Sequence, residues 1–177
     1  MNPTDILNFW FLKENSTKWF IKSKDFDNLI IEKFSNTYNK AAKGDLDAWK
    51  ETPEGMLALI IILDQLPRNM FRGNAQSFAT DAKALSLAKE AIAKGFDKKL
   101  TVEQQRFIYM PFMHSENLKD QNKSVELFAK AEMSYNYAVR HREIIQKFGR
   151  FPHRNDLLRR SSTKEEINFL KTPNSPF

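Results

Sequence analysis

The segment Met56–Leu63 constrains the fold most, because it contains eight consecutive apolar residues. This run is too short to span a bilayer, so it requires a protein interior. Thr52-Pro53, just before it, is a helix-start signal with proline at the first helical position. We therefore predict a helix from Glu54 to about Leu66 that is apolar nearly all round and lies at the centre of the core.

An apolar pattern with helical spacing recurs along the rest of the chain. The clearest example lies between Asp25, which we expect to cap a helix, and Gly44, which we expect to end it. The 177 residues include five glycines and few β-branched runs, which argues against a sheet. The stripe between Asp25 and Gly44 comprises Phe26, Ile30, Phe34 and Tyr38.

Further signals divide the chain into seven or eight helices. A capping box at Thr101–Gln104 starts a helix that should stop or kink near Pro111. A second box at Ser162–Glu165 starts a last helix, and the tail 172–177 should be frayed. Short links predict antiparallel helix pairs in a bundle or short solenoid, within one domain spanning residues 1–177. Four other helices are expected. One starts after Pro3, a second covers Thr80–Lys94, a third covers Glu116–Ala131 with Ser115 as its cap, and a fourth ends at Gly149.

Charge and composition limit the chemistry. The 28 basic and 22 acidic residues give a formal net charge of +6, and no cysteine is present. Disulfides, thiol catalysis and cysteine-based metal sites are therefore excluded. The first residues lack the basic start and apolar core of a secretory signal. We expect a soluble, cytoplasmic protein with no membrane partner.

Three polar segments interrupt the helical pattern. The first polar segment, Leu63–Arg72, ends the most apolar helix. Asp64 directly follows the apolar run, and a buried carboxylate needs a partner. Arg68 lies four residues on, the right offset for one helix face, although Pro67 disturbs that geometry. Two interpretations stay open: a structural ion pair, or a site in which Asp64 is catalytic and Arg68 binds ligand.

The second polar segment is Tyr109–Glu116, which includes Pro111. A histidine and a glutamate in a proline-broken turn could form an acid–base pair or ligate a metal. They lack the spacing of a His-Glu-x-x-His zinc helix. His114 is therefore a candidate catalytic residue and Glu116 a candidate ligand-binding residue. A core position for His114 and a first-turn acid role for Glu116 remain open.

The third polar segment, Phe148–Asn155, is the most distinctive. Six of the nine arginines lie between Arg140 and Arg160, and arginine suits bidentate capture of carboxylate or phosphate. The Phe151–Pro152 bond could be cis. The alternatives are salt bridges to acidic helices and a loop that satisfies buried carbonyls. The arginine-rich stretch Arg140–Arg160 is too short and too mixed with apolar residues to indicate a nucleic-acid surface. Its candidates are Arg150, Arg154 and Asn155 for ligand binding and His153 for proton donation or relay.

His141 precedes the third polar segment on a helix face that includes Ile144, Ile145 and Phe148. A lone histidine on such a face is more often a hydrogen-bonded core residue. Because the other two histidines lie beside expected helix breaks, the alternative that His141 also faces the site and binds ligand stays open.

These segments also carry a family resemblance. The motifs, in chain order, are Phe9-Trp10-Phe11, Trp19-Phe20, Leu63–Asn69, Phe78-Ala79-Thr80-Asp81, Tyr109–Glu116 and Phe148–Asn155. This pattern resembles the DUF924 family, which is mainly bacterial and of undefined function. The resemblance covers nearly the whole chain and implies an all-α fold similar to the tetratricopeptide-like superhelix. It implies no reaction, substrate or cofactor. The family commonly has glycine where this chain has Arg159.

Two functions remain open from the sequence. In the first, the three polar segments meet at one end of the bundle and bind an anionic small molecule, with acid–base or hydrolytic chemistry. In the second, a tetratricopeptide-like module binds a protein or peptide without catalysis, and the motifs are structural. The sequence determines no cofactor. Three histidines with Asp and Glu could ligate zinc, manganese or iron, but no motif assigns a metal ligand.

Overall fold

A computed structural model describes residues 1–129 and 134–172. Every regular element in these ranges is helical, and no strand occurs there. The all-α class predicted from the sequence is therefore confirmed, whereas the tetratricopeptide-like superhelix remains a prediction. The expected helix end at Ala131 and residues 173–177 of the expected frayed tail lie outside the described residues.

The α-helices of the described chain follow one another with short links. They are α1 (Pro3–Trp10), α2 (Lys13–Ser16), α3 (Lys24–Lys43), α4 (Pro53–Ile60), α5 (Leu66–Met70), α6 (Asp81–Ala93), α7 (Val102–His114), α8 (Leu118–Phe128), α9 (Tyr135–Phe148) and α10 (Lys164–Leu170). A π-helical turn, Ile61–Gln65, joins α4 to α5. Short 3-10 helices occupy Asp47–Glu51, Ala75–Phe78, Asp97–Lys99 and Pro152–Arg154.

Helix α3 has the expected apolar stripe, and all of its stripe residues are buried. Its N-cap is Ser23 rather than the expected Asp25, because the Ser23 hydroxyl accepts the backbone N–H of Phe26. Asp25 lies in the first turn instead, where a carboxylate interacts favourably with the helix dipole. Gly44 ends the helix as expected, in the left-handed conformation with φ 96°.

The apolar run forms the central helix, and every residue from Gly55 to Pro67 is buried. Thr52 caps it, since its hydroxyl accepts the N–H of Gly55 at 3.1 Å. The helix was expected to end near Leu66. It continues instead through the π turn and α5 to Met70, so the first polar segment is part of a helix rather than a break.

The π turn explains how this helix passes its proline. The N–H of Leu66 donates to the carbonyl of Ile61, five residues back, which is the π pattern. Pro67 has no N–H to offer the carbonyl of Leu63, four residues before it. The hydroxyl of Thr80 donates to that carbonyl at 2.6 Å instead. The backbone group freed by proline is thereby satisfied.

Helix α7 also continues through a proline. Its capping box, Thr101–Gln104, is confirmed. Pro111 lies buried inside the helix, which ends at His114 instead of stopping near the proline. The second polar segment therefore begins as a helix and becomes a turn only at Ser115.

Other expected boundaries move by one or two residues. Asn117, not Ser115, caps α8, because its side chain accepts a first-turn N–H at 2.8 Å. Thr163–Glu166 forms the capping box of α10, one residue after the expected Ser162–Glu165. The peptide bond before Pro152 is trans. The side chains of Asn117 and Thr163 each accept an N–H group that has no partner within its helix.

The core surrounds the central helix. Helices α1, α6 and α7 pack against α4, α3 packs against α5, and α7, α8 and α9 pack in sequence. A smaller apolar cluster, formed by Ile144, Ile145 and Phe151, lies at the third polar segment. Among the described helices, none is long and apolar enough to cross a membrane. The largest fully buried side chains include Trp10, Phe34, Phe107 and Phe128.

Candidate functional site

Asp64 and His114 form a pair that joins the first and second polar segments. Asp64 lies in the π turn with its side chain fully buried, and its Oδ1 is 2.7 Å from Nδ1 of His114. Its Oδ2 accepts the side-chain amide of Gln65 at 2.5 Å. A carboxylate only accepts hydrogen bonds, so Nδ1 of His114 carries the proton. In the neutral ring Nε2 is therefore a lone-pair acceptor, and no described residue bonds to it.

Electrostatics favour an ionised Asp64 beside a neutral His114. Burial opposes ionisation of Asp64, but His114, Arg68 and Gln65 together hold its pKa below the usual value. Burial and the charge of Arg68 lower the pKa of His114, and they outweigh the opposing effect of Asp64. The pair resembles the carboxylate–imidazole part of hydrolase triads, in which the carboxylate orients the ring and stabilises its protonated form.

The side chain of Gln121 fixes the turn that carries His114. It is fully buried, and its Nε2 donates to the carbonyls of Met113 at 2.7 Å and Ser115 at 2.6 Å. The last carbonyls of a helix lack partners within the helix, so this amide supplies one. Sequence reasoning missed Gln121, because one polar residue in an amphipathic helix carries no signal of its own.

Arg68 connects the Asp64–His114 pair to a second carboxylate. Its guanidinium donates to both oxygens of Asp81, at 2.9 and 3.1 Å. The same guanidinium donates to the backbone carbonyl of Asp64 and lies 3.5 Å from its Oδ1. Asp81, the first residue of α6, was not among the sequence candidates. The Phe78-Ala79-Thr80-Asp81 motif was the available signal for it.

Arg154 is the least satisfied charge in this region. Its side chain is 8% exposed, and Nη1 donates to Oδ2 of Asp81 at 3.3 Å. That is its one hydrogen bond to any residue the structure describes, and its Nε is buried without a partner. The guanidinium lies over the rings of Phe78 and Phe151, at 4.5 and 4.6 Å. Burial, followed by the charge of Arg68, lowers the pKa of Arg154 to about 10.

His141 and His153 both lie against the ring of Phe151, which Arg154 also covers, with ring centroids 5.5 and 5.6 Å from that of Phe151. Nδ1 of His141 is 2.7 Å from the carbonyl of Tyr137, so it carries the proton of the neutral ring. Burial is the largest cause that lowers the pKa of His141 to about 3 and that of His153 to about 4, and the charge of Arg154 contributes to both shifts in the same direction. The charge of His114 also contributes to both shifts in this direction.

Glu116 joins the second polar segment to the third. Its carboxylate accepts both Nη groups of Arg160, at 2.7 and 2.9 Å. The backbone N–H of Phe151 donates to Oε1 of Glu116 at 2.8 Å. Arg160 also donates to the carbonyl of Phe151 at 3.2 Å. These bonds hold the loop that carries Arg154 against the end of α7.

Asn155 and Arg150 make their contacts with residues that follow the third polar segment in the chain. Oδ1 of Asn155 accepts from Arg160 at 3.0 Å, and its amide donates to Ser162 at 3.1 Å. Arg150 pairs through two hydrogen bonds, at 2.7 and 2.8 Å, with Glu166 in α10. Arg150 therefore makes no described hydrogen bond to Asp64, Asp81 or Glu116.

The three polar segments meet in space, as the sequence predicted. The polar cluster defined by these contacts joins residues that lie far apart in the chain. Glu116, Arg160 and Asn155 lie beside this cluster, and Arg150 is paired away from it. The cluster comprises Asp64, Arg68, Asp81, His114, His141, His153 and Arg154.

Two surface depressions lie elsewhere. One is lined by residues at the start of α3 and by residues in and just after α5, including Lys24, Asp27 and Arg72. The other is lined by residues of α9 and α10, including Lys147 and Phe169. Within the described ranges, no group of three or more His, Asp or Glu side chains is arranged to hold a metal ion. The polar cluster offers guanidinium donors and an imidazole acceptor, which suit anion binding and proton transfer.

Comparison with known proteins identifies relatives without a known function. Residues 6–174 match the family described as "Bacterial protein of unknown function (DUF924)". A solved protein of unknown function, ATU0120 from Agrobacterium tumefaciens, is 40% identical over 96% of both chains, with a TM-score of 0.92. No curated protein matches the chain.

Proposed function

Because the chain belongs to the DUF924 family, which has no defined function, we propose a function from the geometry of the polar cluster. The cluster binds a small anionic molecule, with Arg154 and Arg68 as the anion-binding residues. His114, held by Asp64, accepts or donates a proton at the bound molecule. The observation that carries this proposal is the buried and incompletely paired guanidinium of Arg154.

A guanidinium has five N–H donors, and burying them without acceptors is costly. Arg154 has one described acceptor, at the long distance of 3.3 Å. Each missing hydrogen bond to a buried charged group costs about 1–3 kcal/mol. A bound carboxylate or phosphate would supply the missing acceptors in the bidentate geometry that arginine favours. The energetic cost in the free protein is then recovered on binding.

His114 is suited to proton transfer in this position. Its side chain is 15% exposed, Nε2 is not sealed from solvent, and Nδ1 is bonded to Asp64. When Nε2 accepts a proton, the ionised Asp64 stabilises the imidazolium that forms. His153, beside Arg154, is a second group that can carry a proton in the same cluster.

The other candidates from the sequence have supporting roles in this proposal. Glu116 holds the third polar segment through Arg160 and the N–H of Phe151. Asn155 orients Arg160, and Arg150 anchors α10 through Glu166. Their hydrogen bonds are already made within the protein, so a ligand would gain less from them than from Arg154.

A thermal-shift screen tests the proposal, because a ligand that binds the native state raises the melting temperature. The screen compares small carboxylates and phosphorylated metabolites on the wild type and on Arg154→Met. Arg72→Met is the matched control, since Arg72 pairs with Asp27 on the surface. We expect anions that stabilise the wild type and the control but not Arg154→Met. If no anion shows this pattern, the proposal is wrong and the interaction module becomes the better candidate.

A further inference from the structure

We infer that the polar cluster selects anions that also carry a hydrogen-bond donor, such as hydrogen phosphate or small hydroxy acids. This inference rests on the proposed function and specifies the ligand class of the same site. The inference follows from two groups of the cluster that differ in their hydrogen-bonding capacity. Arg154 offers only N–H donors, whereas Nε2 of His114 offers only a lone pair.

The acceptor character of His114 follows from its partner. Asp64 is fully buried and bonded to Nδ1, so the ring keeps its proton on that nitrogen. Nε2 makes no hydrogen bond to any described residue, and the side chain of His114 is 15% exposed, so solvent reaches this nitrogen. A ligand that covers Nε2 excludes solvent from this nitrogen. The ligand must then donate a hydrogen bond or leave the lone pair unsatisfied.

The donor and acceptor lie around one guanidinium. Arg68 contacts Asp64, which is the partner of His114, and Asp81, which is the partner of Arg154. The ring of Phe151 lies against both His153 and Arg154, with the His153 ring centroid at 5.6 Å and the guanidinium at 4.6 Å. Because one guanidinium connects the partners of both groups, the ligand that we infer is a small molecule.

An anion without a donor meets repulsion at this site. Sulfate presents only acceptor oxygens at neutral pH, and one of them would face the lone pair of His114. Protonation of the ring would relieve this, but burial and the charge of Arg68 lower the pKa of His114. Hydrogen phosphate has the same shape and keeps an O–H group, which can donate to Nε2. The two oxyanions therefore differ in the O–H group that can donate to Nε2.

The test compares four probes at neutral pH by NMR titration or calorimetry: phosphate against sulfate, and glycolate against acetate. Each pair differs in the presence of an O–H group. We expect phosphate and glycolate to bind about tenfold more tightly than their partners, which is the worth of one hydrogen bond. Arg154→Met should weaken the binding of phosphate and of glycolate.

His114→Asn is the decisive variant. The asparagine amide can donate to Asp64 as Nδ1 does, but it has no atom at the position of Nε2. We expect it to lose the preference for phosphate over sulfate, whereas His114→Gln, which reaches that position with a carboxamide oxygen, should keep part of it. If either variant fails to fold, the comparison of the four probes on the wild type decides by itself.

Two results would overturn the inference. Equal affinity for both members of each pair, with binding still dependent on Arg154, removes the selection but leaves the anion site intact. No binding of any of the four probes also overturns it, because they are the smallest members of the proposed class. In that case the larger metabolites of the thermal-shift screen decide separately whether an anion site exists.

Discussion

The imidazole of His114 and the carboxylate of Asp64 lie 50 residues apart in the chain and 2.7 Å apart in space. Asp64 comes from a π turn in the central helix, and His114 is the last residue of α7. Both helices contain a proline that fails to end them. π-helical turns are frequent at functional sites, and here the turn holds the fully buried carboxylate that pairs with His114.

Removal of Asp64 should destabilise the protein strongly. Asp64→Ala leaves the N–H of His114 and part of Arg68 without their acceptor, which is expected to cost about 3 kcal/mol or more in the free energy of unfolding. Arg72→Ala, which breaks a surface pair, should cost less than about 1 kcal/mol. Urea denaturation of both variants measures the difference. Similar losses in the two would contradict a buried pair.

Arg154→Met should leave stability unchanged or raise it by about 1 kcal/mol, because the buried guanidinium has few acceptors and methionine fills similar apolar space. The same substitution should remove anion binding. Thermal unfolding without ligand tests the first part. A large loss of stability would mean that Arg154 is a structural residue, and the proposed anion site would lose its main support.

Gln121→Leu should cost about 2 kcal/mol, because the carbonyls of Met113 and Ser115 lose a buried donor. The Nδ1–H resonance of His114 should also shift or broaden, since the turn that holds the ring is no longer fixed. Asn122→Leu is the control, because Asn122 is the exposed neighbour on the same helix. An unchanged resonance in Gln121→Leu would contradict the positioning role.

Acidification should destabilise the protein between pH 7 and pH 5. Burial lowers the pKa of His141 to about 3 and that of His153 to about 4, whereas an unfolded histidine titrates near 6.5. The unfolded state therefore binds more protons in this range. The two buried histidines contribute fully to the free energy of unfolding above pH 6.5, and this contribution is lost as the pH falls. Linkage gives a loss of about 2 kcal/mol per histidine. Urea denaturation at several pH values measures it.

A variant isolates the contribution of His141 to this pH dependence. His141→Gln has no imidazole to titrate and should show a shallower fall of stability between pH 7 and pH 5. In the wild type, the NMR signals of His141 should not titrate above pH 5. A ring that titrates near its ordinary pKa would contradict the burial that lowers it.

Arg159 occupies the left-handed region, with φ 55°, at the end of the turn that orients Arg160. The N–H groups of Arg159 and Arg160 bond to the carbonyls of Asp156 and Asn155, at 3.1 and 2.7 Å, which is the Schellman pattern that usually has glycine at this position. Arg159→Gly should remove about 1 kcal/mol of strain, partly offset by about 0.5 kcal/mol of unfolded-state entropy.

The expected outcome is a small gain in melting temperature for Arg159→Gly. Arg159→Val is the matched contrast, because a β-branched residue tolerates positive φ poorly, and it should lower the melting temperature. If glycine destabilises as much as valine, the turn is held by the arginine side chain and not limited by backbone strain.

The sequence by itself determined the helical class and the identity of the central helix. Periodicity, caps such as Thr52 and stops such as Gly44 act within a few residues, so local pattern is sufficient to find them. The three polar segments could be recognised for the same reason. Their meeting could only be expected, because no local rule fixes which helix ends become neighbours.

Only the tertiary structure decided the rest. Pro67 does not end its helix, because Thr80, distant in sequence, satisfies the carbonyl that proline leaves free. Asp81 accepts a hydrogen bond from Arg68, and Gln121 donates to the carbonyl of Met113 at the end of α7. Arg150 pairs with Glu166. Hydrogen bonds between distant residues depend on packing, which a spacing pattern does not encode. The sequence thus identified the polar segments, and packing determined which of their side chains contact one another.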